Sequence, residues 1–92
     1  MLFDQPSTSC FSVYAPSDPA VLPRVLGVFA RQDVVPSRVV AAPSERRPDE
    51  LSIDLQVEGL GVAKREYIAA RLRNLVDVSL VLTSEKAHYR AA

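Results

Sequence analysis

The chain has 92 residues, of which 48% are hydrophobic and 24% are charged. This length suits one small domain, and the apolar content is too high for a disordered chain. Eleven Lys and Arg residues balance eleven Asp and Glu residues, and Cys10 is the single cysteine, so the composition argues against polyanion binding, an internal disulfide and a multi-thiolate metal site.

The two ends of the chain differ from its middle in composition. Residues 1–9 offer few apolar side chains and are expected to be a flexible lead-in, and residues 84–92 a flexible polar tail. The folded domain is therefore expected over residues 10–83. The chain begins without the basic leader of a signal peptide, and no stretch has the roughly 20 apolar residues that span a bilayer. We therefore expect a cytoplasmic protein that does not bind membranes.

The first predicted unit is a strand followed by a helix. Apolar and polar side chains alternate over residues 10–14, which predicts a strand. In residues 17–22, a hydroxyl and a carboxylate precede a proline, which is typical of the first turn of a helix. Apolar residues then recur at helical spacing, which predicts a helix over about residues 19–32.

A second strand is predicted over residues 34–42, which are rich in β-branched side chains. Pro36 cannot donate a ladder hydrogen bond, so this strand is placed at an edge of the sheet. An apolar edge strand promotes aggregation unless it is paired, which favours a homodimer with two sheets joined side by side. The expected dimer interface comprises Val34, Val35, Pro36, Ser37, Arg38, Val39, Val40 and Ala41.

The carboxy-terminal half predicts a strand, a helix and a strand. Residues 51–57 alternate strictly, with Leu51, Ile53, Leu55 and Val57 facing the core and Ser52, Asp54 and Gln56 facing outward. A helix is predicted over about residues 62–75, and the fourth strand alternates through Val76, Val78, Leu80 and Leu82. With right-handed crossovers, this βαββαβ order predicts an α+β, ferredoxin-like sandwich whose antiparallel sheet has strand order 4-1-3-2 and two helices on one face.

No group of residues in the sequence is typical of a catalytic or cofactor site. His88 falls in the tail without a second metal ligand, so no metal site is expected. Gly59 and Gly61 precede a helix, but Lys64 stands where a dinucleotide fingerprint has its third glycine. The outward side chains of residues 51–57 cannot stack RNA bases. We therefore expect no enzyme, no cofactor and no nucleic-acid partner.

The start of the first predicted helix is the remaining candidate binding site. A helix amino terminus presents unpaired N–H groups and a partial positive charge, which can hold a carboxylate such as that of an amino acid. The same residues can equally serve only to cap the helix. The candidate effector-binding residues are Ser17, Asp18, Pro19, Ala20, Val21, Leu22 and Val35.

With this element order, helix start and edge strand, the chain resembles an ACT domain, the small-molecule-sensing module of amino-acid metabolism. Three segments resemble more narrowly the regulatory small subunit of acetolactate synthase (acetohydroxyacid synthase), isozyme II type. They are residues 19–26, residues 51–57 and the run Leu72-Arg73-Asn74-Leu75-Val76-Asp77-Val78, which is similar to that family's Leu-x-Lys-Leu-Val-Asp-Val. The resemblance extends over about residues 11–83.

The resemblance implies a non-catalytic regulatory subunit that dimerises along the second strand and the first helix. Its partner would be the acetolactate synthase large subunit, which itself holds thiamine diphosphate, magnesium and flavin. In valine-sensing relatives, asparagines and a glycine line the effector pocket. This chain has Ser17 and Ala20 in the helix-initiating turn and Val35 at the asparagine position of the second strand, so we expect weak or absent feedback by valine. The alternative is a stand-alone ACT-domain sensor that binds an amino acid at the homodimer interface.

Overall fold

The computed structural model describes residues 7–87 as one antiparallel sheet of four strands with two helices. The strand order is β2-β3-β1-β4, which is 4-1-3-2 read from the other edge, so the predicted ferredoxin-like fold is confirmed. The elements are β1 (Ser7–Pro16), α1 (Val21–Arg31), β2 (Arg38–Pro43), β3 (Glu50–Glu58), α2 (Val62–Arg73) and β4 (Leu80–Ala87).

The core lies between the two helices and one face of the sheet. Phe11 of β1 meets Phe29 of α1 edge to face, with ring centroids 5.3 Å apart and planes at 85°. This arrangement brings the positive edge of one ring to the negative face of the other. The predicted stripe of α1 is confirmed, because the buried side chains of this helix follow helical spacing. The buried helix residues are Val21, Val25, Val28 and Phe29 of α1, and Ile68, Ala69 and Leu72 of α2.

The alternation predicted for the third strand is confirmed. Ile53, Leu55 and Val57 are buried, whereas Asp54 lies exposed on the opposite face, which we call the helix-free face of the sheet. Because paired residues of antiparallel strands share a face, the pairing extends this division to the neighbouring strands. Even-numbered residues of all four strands therefore lie on the helix-free face.

The fourth strand was predicted with the wrong start and the wrong face. Helix α2 ends at Arg73, and the next residues form turns, so β4 starts only at Leu80. Val76, predicted in the strand, is 98% exposed, whereas Val81 is 3% exposed and pairs opposite Val13. Pairing with β1 puts Leu82 on the helix-free face, where half of its surface is exposed. The turn after α2 thus shifts the alternation by one residue.

The first and last strands of the chain extend into the segments predicted from composition to be flexible ends. Residues 7–9 and 84–87 belong to β1 and β4, and Ser7 pairs with Ala87. Strand pairing satisfies the backbone N–H and C=O groups of these polar residues, which side-chain patterns cannot reveal. The remaining predicted lead-in and tail, together with His88, lie outside the described residues.

Strand β2 lies at the sheet edge, as predicted, but it starts at Arg38 instead of residue 34. Asp33 has a φ of 56°, and the Val34 N–H donates to the Phe29 carbonyl at 3.0 Å. The residues after α1 therefore still close its last turn and cannot join the sheet. Within residues 7–87, neither helix is long and apolar enough to cross a membrane.

Candidate functional site

A groove of about 410 Å³ lies between the start of α1 and the helix-side face of β2. We call it the β2 groove. It brings together four of the seven predicted effector residues with two residues of the sheet. Its lining residues are Ser17, Asp18, Pro19, Leu22, Ala41 and Leu51.

The turn from β1 to α1, residues 17–20, forms one wall of the β2 groove and is held by its own hydrogen bonds. The Asp18 carboxylate accepts the Ala20 N–H at 2.9 Å, and the Asp18 carbonyl accepts the Val21 N–H at 3.0 Å. The negative charge of Asp18 lies at the positive end of the α1 dipole, which stabilises the helix. Asp18 therefore caps α1 without being the residue directly before it.

These hydrogen bonds make the turn better suited to a ligand ammonium group than to the carboxylate expected from the sequence. The amides of Ala20 and Val21 are occupied, and Pro19 and Pro23 have no N–H, so few helix-terminal donors remain for a ligand carboxylate. The Asp18 carboxylate would also repel such a group. An ammonium group beside Asp18, with an apolar side chain along the rest of the groove, is the better electrostatic match.

The other predicted effector residues do not line the β2 groove. Val21 is buried in the core, and Ala20 is half-buried at the helix start. Val35 is 86% exposed in the segment before β2 and does not line the groove in this chain. Ala41 was predicted at the dimer interface and Leu51 to face the core, but neither was predicted to line a site with residues 17–22. Their approach to the turn depends on how β2 and β3 pair, which the sequence does not encode locally.

The predicted dimer interface is only partly on the edge strand. Val34 packs against the core, and Ser37 is tied to β3 by its N–H, which donates to the Gln56 carbonyl at 2.8 Å. All six residues of β2 are exposed, including Val39 on the helix side and Val40 on the helix-free face. Among residues 7–87, β2 pairs with β3 alone.

An ion pair between Arg46 of the β2–β3 loop and Glu50, the first residue of β3, was not predicted from the sequence. The Glu50 side chain is only 6% exposed and accepts hydrogen bonds from Arg46 Nε at 3.0 Å, Arg46 Nη2 at 2.6 Å and Ser44 Oγ at 2.9 Å. The Arg46 guanidinium lies 4.7 Å from the centre of the Tyr14 ring. We call this ion pair the Arg46–Glu50 clamp. The hydrogen bonds that Glu50 accepts from Arg46 hold the pKa of Glu50 below its ordinary value, although desolvation of the carboxylate raises it.

Across residues 7–87, no group of three or more His, Cys, Asp or Glu side chains is placed to hold a metal ion. The polar side chains described above are instead engaged in ion pairs and helix capping. The geometry supports a binding groove next to an open sheet edge.

Comparison with known proteins identifies the family. Residues 4–90 match the family described as an ACT-like domain. The chain belongs to the ACT-like domain family. ACT domains are regulatory, ligand-binding domains and not catalytic ones. No curated protein sequence matches this ACT-like domain.

Solved structures share the fold of this ACT-like domain at low sequence identity. The ACT domain from GTP pyrophosphokinase of Chlorobium tepidum superposes with a TM-score of 0.71 and 13% identity, covering 86% of each chain. The C-terminal domain of the MgtC protein from Mycobacterium tuberculosis has a TM-score of 0.70 and 16% identity over 97% of each chain. The regulatory subunit of aspartate kinase from Thermus flavus has a TM-score of 0.64 and 11% identity, over 87% of this chain and 52% of the other.

Proposed function

We propose that this ACT-like domain is a non-catalytic regulatory subunit that forms a homodimer along β2. We further propose that it binds and activates the large subunit of acetolactate synthase. The observation that carries the proposal is strand β2. Its six residues are all exposed, it has no second neighbour among residues 7–87, and Ala41 from this strand lines the β2 groove. An open apolar strand beside a binding groove favours assembly and regulation over catalysis.

The chemistry of the sheet edge supports the proposed dimerisation along β2. Val39 and Val40 expose about two fifths of their surface on opposite faces, so a second strand would cover apolar groups on both sides. Two β2 strands paired around a two-fold axis would extend the sheet to eight strands. The other edge strand, β4, carries Glu85 and Lys86 near its end, and charged residues disfavour edge pairing.

Sedimentation equilibrium of the purified chain over a wide concentration range tests this step. We expect a reversible dimer, and the hydrogen exchange of β2 amides should slow as the dimer forms. A chain that stays monomeric at every concentration, with fast-exchanging β2 amides, would contradict the proposal.

The acetolactate synthase role is supported by the resemblance of the run from Leu72 to Val78. In the fold this run ends α2 and forms the following turn, where Asp77 is paired with Arg24 and Val76 is almost fully exposed. An apolar side chain on an exposed turn is available to a partner. The large subunit itself would hold the thiamine diphosphate, magnesium and flavin.

Co-purification with the large subunit of the same organism, followed by a turnover assay, tests this role. We expect a complex whose synthase turnover exceeds that of the large subunit alone, with little inhibition by valine. A matched pair of variants, Val76→Asp and Val62→Asp, compares two exposed valines, one in the proposed contact and one at the start of α2. Absence of both binding and activation would exclude the role.

A stand-alone amino-acid sensor is the second candidate, and the Asp18 carboxylate in the β2 groove favours it. Thermal melts with each of the twenty amino acids test it, because a ligand at 100 times its dissociation constant adds about 2.7 kcal/mol of stability. Asp18→Asn retains a capping side chain but removes the charge, so it should weaken binding by about tenfold or more. Asp33→Asn is the matched control at an exposed site outside the groove. If no amino acid raises the melting temperature, the sensor is excluded.

A further inference from the structure

The Arg46–Glu50 clamp and the β2 groove lie on opposite faces of the sheet. Glu50 is an even-numbered residue of β3 and so belongs to the helix-free face, where Arg46 and Tyr14 line a cavity of about 560 Å³. The β2 groove lies on the helix side. One short backbone segment connects the two.

That segment is residue 49 and its neighbours. The Asp49 carbonyl accepts the N–H of Ser17, the first residue of the turn that walls the β2 groove, at 2.9 Å. Asp49 has a φ of 58°, a left-handed conformation that few residues other than glycine, asparagine and aspartate adopt readily. The next residue, Glu50, is anchored by its side chain in the clamp and by its carbonyl, which accepts the Ser44 N–H at 2.8 Å.

From this chain of contacts we infer that Arg46 and Glu50 are positioning residues of the β2 groove. Their ion pair keeps the Asp49 peptide turned so that its carbonyl holds Ser17, and Ser17 sets the position of Asp18 and Pro19. Without the ion pair, the β2–β3 hairpin is less restrained, and the hydrogen bond from Ser17 to the Asp49 carbonyl no longer fixes the wall of the groove. The ligand consequence of this inference rests on the proposed function, whereas the effect on Ser17 does not.

Glu50→Gln tests the inference, because glutamine keeps the shape of the side chain and removes its charge. Glu45→Gln is the matched control, since it makes the same change at an exposed residue of the adjacent β2–β3 loop. Arg46→Lys and its control Arg47→Lys form a second pair, which remains informative if Glu50→Gln does not fold.

Amide hydrogen exchange of Ser17 is the first measurement. The reference is the Ser37 amide, which donates to the Gln56 carbonyl at the far end of β3. We expect the protection of Ser17 to fall by about tenfold relative to Ser37 in Glu50→Gln and Arg46→Lys, and to stay unchanged in the two controls. Equal loss of protection at both amides would overturn the inference, because the clamp would then contribute only to global stability. No loss of protection at either amide would overturn it as well, because the clamp would then have no effect on Ser17.

Calorimetric titration with L-valine is the second measurement. If the wild-type chain binds valine, its dissociation constant should rise by about tenfold in Glu50→Gln and stay within about twofold in Glu45→Gln. An unchanged dissociation constant in Glu50→Gln would overturn the coupling to the groove. If the wild-type chain does not bind valine, that failure counts against valine sensing, and the exchange comparison still decides whether the clamp positions Ser17.

Discussion

Truncation of Val81 compared with truncation of Val76 tests the placement of the fourth strand. Both residues are valines of the segment predicted as one strand, but Val81 is 3% exposed and Val76 is 98% exposed. Val81→Ala removes two buried methyl groups, which at about 0.8 kcal/mol each gives about 1.6 kcal/mol. The space left behind raises the cost to about 2 kcal/mol, because the core relaxes only partly.

For a domain of this size, a loss of about 2 kcal/mol lowers the melting temperature by about 8 to 16 °C. Val76→Ala should change stability by less than about 0.5 kcal/mol, since nothing packs against an exposed methyl group. Urea unfolding and thermal melts of both variants, at one fixed protein concentration, measure the difference. Equal effects, or a larger loss for Val76→Ala, would refute the register of β4 and the assignment of Val81 to the core.

Further predictions concern the edge strand, the clamp, the strained loop and one buried hydroxyl. Val39→Lys adds a charge at the exposed edge, so the dimer dissociation constant should rise by about tenfold or more in sedimentation experiments while monomer stability stays the same; an unchanged dimer would exclude β2 as the interface. Because Arg46 holds the pKa of Glu50 below its ordinary value, the clamp contributes fully at pH values above that ordinary pKa and is lost as pH falls through the lower pKa of the folded state. Thermal melts from neutral to strongly acidic pH should therefore show a shallower acid decline in Glu50→Gln than in the wild type. Asp49→Gly should be more stable than Asp49→Ala by about 1 kcal/mol, since only glycine adopts a positive φ without strain. Ser9→Ala should stabilise the chain by about 1 kcal/mol, because the buried Ser9 hydroxyl has no hydrogen-bond partner among residues 7–87; equal or lower stability would indicate a partner in solution.

The alternation of apolar and polar residues predicts the buried face of β3 but not that of β4. In β3 the residues from 51 to 57 alternate without interruption, and the strand forms with the predicted face buried. In the segment predicted as the fourth strand, the apolar residues are so frequent that either alternation fits; they are Val76, Val78, Leu80, Val81 and Leu82. Only pairing with Val13 of β1 decides that Val81 faces the core.

Only part of the candidate site could likewise be predicted from local sequence. Residues 17–22 were recognised as a helix start because capping side chains and prolines act on their immediate neighbours. Ala41, Leu51 and the Asp49 carbonyl could not be assigned to the same region, since they reach the turn through strand pairing and a loop conformation.

The order of the elements and the buried faces of α1 and β3 could be predicted from the sequence alone. These features depend on periodicity, which is a property of neighbouring residues. The edge position of the second strand was predicted correctly, but from Pro36, which lies before the start of β2 at Arg38. Tertiary structure decided where β4 begins, which of its residues are buried, and which distant residues form the β2 groove and the Arg46–Glu50 clamp. Those features depend on register and turn length, which are selected by the free energy of packing the whole sheet against both helices.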